Sequence, residues 1–474
     1  MKNDMKTLEQ THEAAPGASD RIANYASSLC FGDLDAATVT AAKQRILDVL
    51  GCALGGTRAT GCEALVDLAR EQGGARQAGI VGHGDLRVPV GMAAMVNSIL
   101  ARSYDYEVMG VLIEGRLIPS HHAATTVMTA LALCEAHGLS GQDLLTAVVI
   151  GDDVSARVLA ASGLDFSQGW DGSATYAAIG AAVTAGHLLR LDPLQMRHAI
   201  GITVSQIGGT VQSLWDGATD FKLGQGAAAR NAVLAAQLAQ RGWTGMEDPL
   251  LGPNAFFAQY TAGCSDSGIL ERGLGKSFWA EAYFKPYPAC MATHVCIEAA
   301  MAARAQLGGG DVTADIDRVT VRLPKPSLGN FCAKPFEPRE CAHVDAIFSY
   351  QHMVAGVLLR GGIAQPHYSE DAIRDARLGA LAQAIQLEPF PPGRTGAEVE
   401  IVLRDGRSAL GVVNAPGRSP LVQIASAAEI EDKYRRQVEF SGLLNAAQGQ
   451  ELHAQVEQLD TLASVARIAK LLAA

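Results

Sequence analysis

The sequence predicts a mainly α protein in which a large all-helical domain is interrupted by a smaller α+β domain. Three observations predict it. Apolar residues recur at three- and four-residue spacing from Asp20 to about Ala282, change to two-residue alternation after Tyr283, and regain helical spacing from Ser419 to the end. Hydrophobic residues make up 48% of the chain but aromatic ones only 5%, and cores built of Ala, Leu and Val let helices approach closely. The length, 474 residues, exceeds what one ordinary core organises, so two domains are expected.

In chain order, residues 1–18 read as a polar, flexible leader without the apolar stretch of a signal peptide. The first clear helix is expected over Ala36 to Leu54, closing on Gly55 and Gly56. Helices follow over Ala123 to His137 and, with Ser140 as N-cap, over Ser140 to Ala161. Ala177 to Leu191 and Ala227 to Arg241 carry the same spacing. Ile316 to Leu323 (IDRVTVRL) alternates as a half-buried strand does, and Ala397 to Leu403 followed by Asp405-Gly406-Arg407 and Ser408 to Val413 reads as a hairpin. A helical segment, Ile347 to Leu359, lies between them. The expected division is therefore a helical domain of residues 19–282 plus 419–474 and an α+β domain of residues 283–418. No internal repeat of fixed period is present.

Composition narrows the function. A net charge of −11 gives no general attraction for nucleic acid or anionic membrane. No run of about twenty apolar residues is present, so no membrane span and a cytoplasmic location are expected. The nine cysteines form no CxxC pair and no zinc-ligand spacing; reduced thiols and no metal are the expectation. GxGxxG after a strand, GxxxxGK[ST], GxSxG and HExxH are all missing, which removes the usual signals for nucleotide cofactors, serine hydrolases and zincins.

Four segments set polar residues in apolar or glycine-rich surroundings. Ser103-Tyr104-Asp105-Tyr106-Glu107 ends a stretch rich in Ala, Met and Leu, and a carboxylate between aromatic rings can work as a general acid or base; a helix-end cap is the competing reading. Pro119-Ser120-His121-His122-Ala123 sets two histidines at a helix start, where a neutral imidazole suits a base; a capping or core histidine competes. Lys222 precedes Gly224-Gln225-Gly226 and a helix, a place to hold a substrate carboxylate; an exposed lysine competes. Phe284-Lys285-Pro286-Tyr287-Pro288 stiffens a lysine-bearing stretch at the expected domain junction, where an ordinary linker competes.

Those four segments, in that order, resemble the MmgE/PrpD family, which includes 2-methylcitrate dehydratase, cis-aconitate decarboxylase and iminodisuccinate epimerase. The resemblance runs from about Ile22 to the C-terminus. It implies a large helical domain, a smaller α+β lid domain, a cleft between them, a homodimer and chemistry without a cofactor. Residue by residue, Asp105 matches the first acidic residue of the family's aromatic–acidic segment. His122 resembles the histidine opening the next helix, with His121 in that place if the register shifts by one. Lys222 resembles the lysine ahead of the glycine-and-alanine helix, and Lys285 the lysine of the K-x-[YF]-P segment that continues through Tyr287. The chain departs from the family at Glu107, Val108 and Met109, at Asp171 where a histidine is common, and at His352 where a tyrosine is common.

The resemblance implies an enzyme that removes a proton alpha to a carboxylate of a small organic acid, with dehydration the first expectation and decarboxylation or epimerisation the alternatives. A non-catalytic carboxylate-binding protein is the second alternative. Lys222 and Lys285 are the expected charge clamp and His122 or Asp105 the proton-transfer groups, with His121, Asp171, Tyr287 and His352 as substrate contacts. Asp171 in place of a histidine points to an acid smaller or less charged than 2-methylcitrate or cis-aconitate.

Overall fold

The computed structural model describes residues 17–473 apart from 115, 119, 164–168, 280–281, 312 and 415–424. The expected leader thus lies outside the described residues except at its end, where Ala18 already opens the helix Ala18–Ser28.

Several helices begin where a side chain satisfies the free backbone donors of the first turn. Asp35 accepts from the Thr38 backbone N–H at 2.7 Å and starts α1, Ala36–Gly56. Helix α2 (Val90–Arg102) runs directly into the acidic segment. Helix α3, Ala123–His137, is closed by Gly138 at φ +64°, a conformation glycine adopts without strain. Ser140 and Asp143 form a reciprocal cap on α4, Gly141–Ala161. Asp171 caps α5 (Gly172–Leu188), and α6 (Leu223–Gln240) follows Lys222.

These helices form the core, and their small residues set how closely they cross. A Cβ on Gly180 of α5 would fall 2.4 Å from the Gly151 carbonyl oxygen of α4. A Cβ on Gly56 of α1 would lie 1.8 Å from the Leu100 carbonyl oxygen of α2, and that oxygen belongs to backbone that cannot swing aside. Replacing a helical glycine by alanine ordinarily stabilises by about 0.5–1 kcal/mol. Here overpacking of about 1–3 kcal/mol outweighs that gain, so Gly56→Ala is expected to lower the urea midpoint of unfolding. An unchanged or higher midpoint would show that α1 and α2 separate freely.

Helix α7, Met291–Gln306, leads into β1, Ile316–Leu323. After α8, Tyr350–Arg360, come β2 (Gln386–Pro389), β3 (Ala397–Leu403) and β4 (Ser408–Val413). The sheet order is β2-β1-β3-β4. β2 lies parallel to β1, with Val321 beside Leu387. β3 is antiparallel to β1 and β4, with Val399 opposite both Val321 and Gly411. Helix α7 covers this sheet so closely that a Cβ on Gly411 would stand 1.8 Å from the Ala299 carbonyl oxygen. Beyond it, α9, Ala427–Ser441, returns to pack on α1.

The strands β1, β3 and β4 and the helix α3 lie where the residue pattern puts them. Four expected helices differ, among them α6, which starts at Leu223 rather than Ala227. Helix α1 extends through Gly55 and Gly56. Helix α5 begins at Gly172 rather than Ala177, because Asp171 accepts from Ser173 N while Gly172-Ser173-Ala174 carries little periodic signal. The segment Ile347 to Leu359 is broken at Phe348, where the Ser349 hydroxyl accepts from His352 N at 3.1 Å and restarts the helix. Two short antiparallel ribbons, Ala78–Gly79 with Arg87–Val88 and Val111–Ile113 with Arg116–Ile118, also interrupt the helical region. No helix among the described residues is long and apolar enough to cross a membrane.

Candidate active site

Helix α2 ends at Arg102, and the chain turns sharply at Asp105, whose φ of +48° is left-handed and strained for a non-glycine residue. Lys285 holds that turn from outside. Its Nζ donates to the Asp105 carbonyl oxygen at 2.6 Å and lies 2.8 Å from the Asp105 carboxylate. Arg102 pairs with the same carboxylate from the preceding turn and lies 3.5 Å from Glu107. The Asp105 and Lys285 side chains are 2% and 0% exposed, so this is a charge cluster cut off from bulk water.

His121 completes the cluster. Its Nδ1 is 2.8 Å from Glu107 and 3.8 Å from Asp105. Its backbone is fixed on both sides, the N–H donating to the Tyr176 hydroxyl at 2.9 Å and the carbonyl accepting from Gln225 of α6. At 17% exposure the imidazole is the member of this cluster most open to solvent.

The pKa directions follow from this geometry. Burial pushes Asp105 up, but Arg102 and Lys285 outweigh it and hold the carboxyl below its usual value. Burial, then Arg102 and Lys285, push His121 well below the ordinary imidazole value, so it is neutral at pH 7 and able to accept a proton. Burial opposes the Arg102 charge, but Asp105 and Glu107 raise its pKa further.

His122, the histidine expected to carry proton transfer, points elsewhere. Its Nε2 lies 3.6 Å from Asp152 on α4, a carboxylate that also takes the Thr126 hydroxyl and Arg45. Burial, offset in part by Asp152, brings the His122 pKa down to about 4. One residue of register on entering α3 decides which imidazole meets Asp105 and Glu107, and that imidazole is His121.

Lys222 meets the same segment at Ser103. Its ammonium is buried and donates to the Thr60 carbonyl at 2.8 Å, the Ser103 hydroxyl at 3.1 Å and the Cys62 sulfur at 3.4 Å. None of these is a carboxylate. Among the described residues Lys222 is a buried cation without an acidic partner, an arrangement that costs several kcal/mol unless an anion arrives.

The remaining expected contacts lie at varying distances from the cluster. Asp171 caps α5 through Ser173 and feels Arg102, with burial raising its carboxyl pKa. It lines a cavity of about 370 Å³ with Phe221, Gly224 and Thr210, and the Phe221 ring lies 5.4 Å from the Arg102 guanidinium. The Tyr287 hydroxyl is directed at the Met301 sulfur rather than at the carboxylates, and with Lys285 and Lys433 the residue lines a cavity against α9. His352 is removed from the carboxylates. It is buried between Phe336 and Tyr368, one ring beyond the stack of Tyr104, His343 and Tyr368.

Arg102, Gln225 and Tyr176 were not singled out from the residue pattern. Arg102 alone left a local trace, standing three residues before Asp105 at the spacing of a helical ion pair. Asp105, Glu107 and His121 bring ligand atoms within 4.8 Å of one another, a geometry that could hold a metal ion. The Arg102 guanidinium and Lys285 ammonium already supply positive charge at that point and would repel a cation there.

Removing Lys285 should be costly for folding as well as for the site. Breaking a buried pair commonly costs about 3–5 kcal/mol; with Arg102 still facing Asp105, Lys285→Ala is expected near the lower end of that range by urea unfolding. A change below about 1 kcal/mol, the scale of an exposed pair, would show that Lys285 does not restrain the turn.

A model of the MmgE/PrpD N-terminal domain matches residues 20–267, and a model of the MmgE/PrpD C-terminal domain matches residues 287–461. The cis-aconitate decarboxylase of Homo sapiens is 28% identical over 445 residues, covering 88% of this chain and 87% of the relative. That of Mus musculus is 29% identical over 385 residues, covering 77% and 75%. That of Aspergillus terreus is 30% identical over 302 residues, 60% of each.

Proposed function

The chain belongs to the MmgE/PrpD family, and from that premise we propose that it is a lyase that decarboxylates a small unsaturated carboxylic acid through a carbanion-like intermediate. The observation that carries the reading is the buried ammonium of Lys222, without an acidic partner among the described residues and bonded to the Ser103 hydroxyl, two residues before the Asp105 that meets His121 and Lys285. A substrate carboxylate is the natural counter-ion for Lys222. The electron pair released when carbon dioxide leaves spreads onto a remaining carboxylate, where Lys285 and Arg102 lower the energy of the developing charge. The carbon that gains electron density then takes a proton, which balances the loss of carbon dioxide, and His121 relays it between solvent and substrate.

The relatives named cis-aconitate decarboxylase favour this outcome. A second reading, dehydration, is favoured by the low pKa of His121: a neutral imidazole would remove the alpha proton and the hydroxyl would depart as water. Both outcomes use the same cations on the same intermediate. Asp171 places a further carboxylate near Arg102, which supports a substrate carrying fewer negative charges than cis-aconitate.

The test is proton NMR of the folded protein with cis-aconitate, unsaturated dicarboxylic acids and hydroxy acids. Decarboxylation predicts a product one carboxylate shorter and release of carbon dioxide. A new double bond with all carboxylates retained would select dehydration. No turnover of any acid by folded protein would contradict a lyase.

A further inference from the structure

The acidic segment is gripped from a second side by residues remote in sequence. Asp48 on α1 and Lys433 on α9 form a buried ion pair at 2.6 Å, with side chains 0% and 5% exposed. Neither is spent on the other alone. Lys433 Nζ donates to the Tyr106 carbonyl oxygen at 2.6 Å, and Asp48 accepts from the Val108 backbone N–H at 2.7 Å. The two bonds bracket Glu107, the carboxylate that meets His121. Lys433 also lies 4.1 Å from the centre of the Tyr106 ring, whose hydroxyl donates to the Pro286 carbonyl at 3.2 Å, next to Lys285.

We infer that the Asp48–Lys433 pair is a positioning device that makes helix α9 part of the active site. It fixes the backbone on either side of Glu107 and, through Tyr106, the segment bearing Lys285. Neither residue touches the reacting atoms. Two lysines hold successive carbonyls of one strained turn: Lys285 that of Asp105 and Lys433 that of Tyr106. Two charged side chains buried solely for stability would be matched or bettered by apolar residues of the same volume. A pair whose hydrogen bonds fall on the backbone flanking a cluster carboxylate sets geometry, and displacement by about 1 Å can cost about a hundredfold in rate.

The inference rests on the proposed lyase site, and the experiment separates the two. Lys433→Met, Lys433→Arg and the double variant Asp48→Asn/Lys433→Met are compared with native protein for kcat, KM and thermal unfolding, on the acid that the native protein turns over fastest. Lys433→Met is expected to lose kcat by about a hundredfold, with KM little changed. Lys433→Arg, which keeps a cationic donor, recovers a large part of that loss. The double variant no longer leaves a buried carboxylate unpaired, so it regains thermal stability over the single one, but its kcat stays low. If kcat instead follows thermal stability across the series, or Lys433→Met turns over at the native rate, the positioning role is wrong. Should Lys433→Met fail to fold, the double variant decides by the same criterion. Asp105→Asn is measured alongside: native kcat in that variant overturns the site itself, whereas a dead Asp105→Asn beside a fully active Lys433→Met overturns only the positioning role.

Discussion

Lys222→Met is expected to lower kcat/KM by about a thousandfold while leaving the protein at least as stable as the native chain. The two effects have opposite signs for one reason. A buried ammonium without an acidic partner is a cost to the folded state, because desolvating an ion is repaid only by a counter-charge. Thr60, Ser103 and Cys62 offset part of that cost by accepting from Nζ, but none of them is a carboxylate. Methionine keeps the chain length and removes the charge. If the counter-ion is the substrate, its carboxylate loses a fixed cation inside a water-poor site, where one such interaction is worth about 10²–10³ in rate, and binding suffers in addition. Thermal unfolding and steady-state kinetics on one sample check both halves. A marked drop in melting temperature would mean that Lys222 is a structural ammonium, and an unchanged kcat/KM would remove it from the clamp.

The two histidines should respond in contrasting ways. His121→Gln is expected to lower kcat by about 10²–10⁴, the usual contribution of a positioned proton-transfer group. Because Arg102 and Lys285 add to burial in depressing its pKa, the imidazole stays neutral as pH falls through 6.5. If it acts as the base, the acid side of the kcat profile is lost only well below that pH. His122→Gln removes a group whose partner is Asp152; it is expected to lower stability and leave kcat close to native. Loss of kcat confined to His122→Gln would return the role to the histidine that the family resemblance first suggested, and equal loss in both would contradict a role for His121 alone.

That pair of residues shows how far the sequence could be read. Two adjacent histidines at a helix start are recognisable by composition, but which one faces the carboxylates depends on whether the helix enters at Ala123 or one residue earlier. Local pattern does not resolve a single residue of register. The strands Ile316–Leu323, Ala397–Leu403 and Ser408–Val413 were legible because alternation over six or more residues is a strong signal, and Asp405-Gly406-Arg407 marks the turn. The ribbon of Val111–Ile113 with Arg116–Ile118 was not, since three residues cannot show a period.

Lys285 and Asp105 were picked out separately as residue types, and their pairing 180 residues apart follows from the fold. Lys433 left no local trace. It stands among charged residues of an amphipathic helix and reads as part of a solvated face; only the packing of that helix on Ala36–Gly56 reveals that it is buried. Arg102 was the one overlooked member that spacing alone could have supplied.

The Asp105, His121 and Lys285 cluster is expected to move a proton at carbon beside a carboxylate, which deuterium incorporation measures most directly. Native protein and Lys285→Ala, both confirmed as folded, are incubated with the turned-over acid in deuterated water, and the label is located by NMR. Deuterium is expected at one carbon conjugated to a carboxylate in the native reaction, and almost none with Lys285→Ala. Equal labelling by both proteins, or native turnover with no carbon-bound deuterium at all, would contradict it.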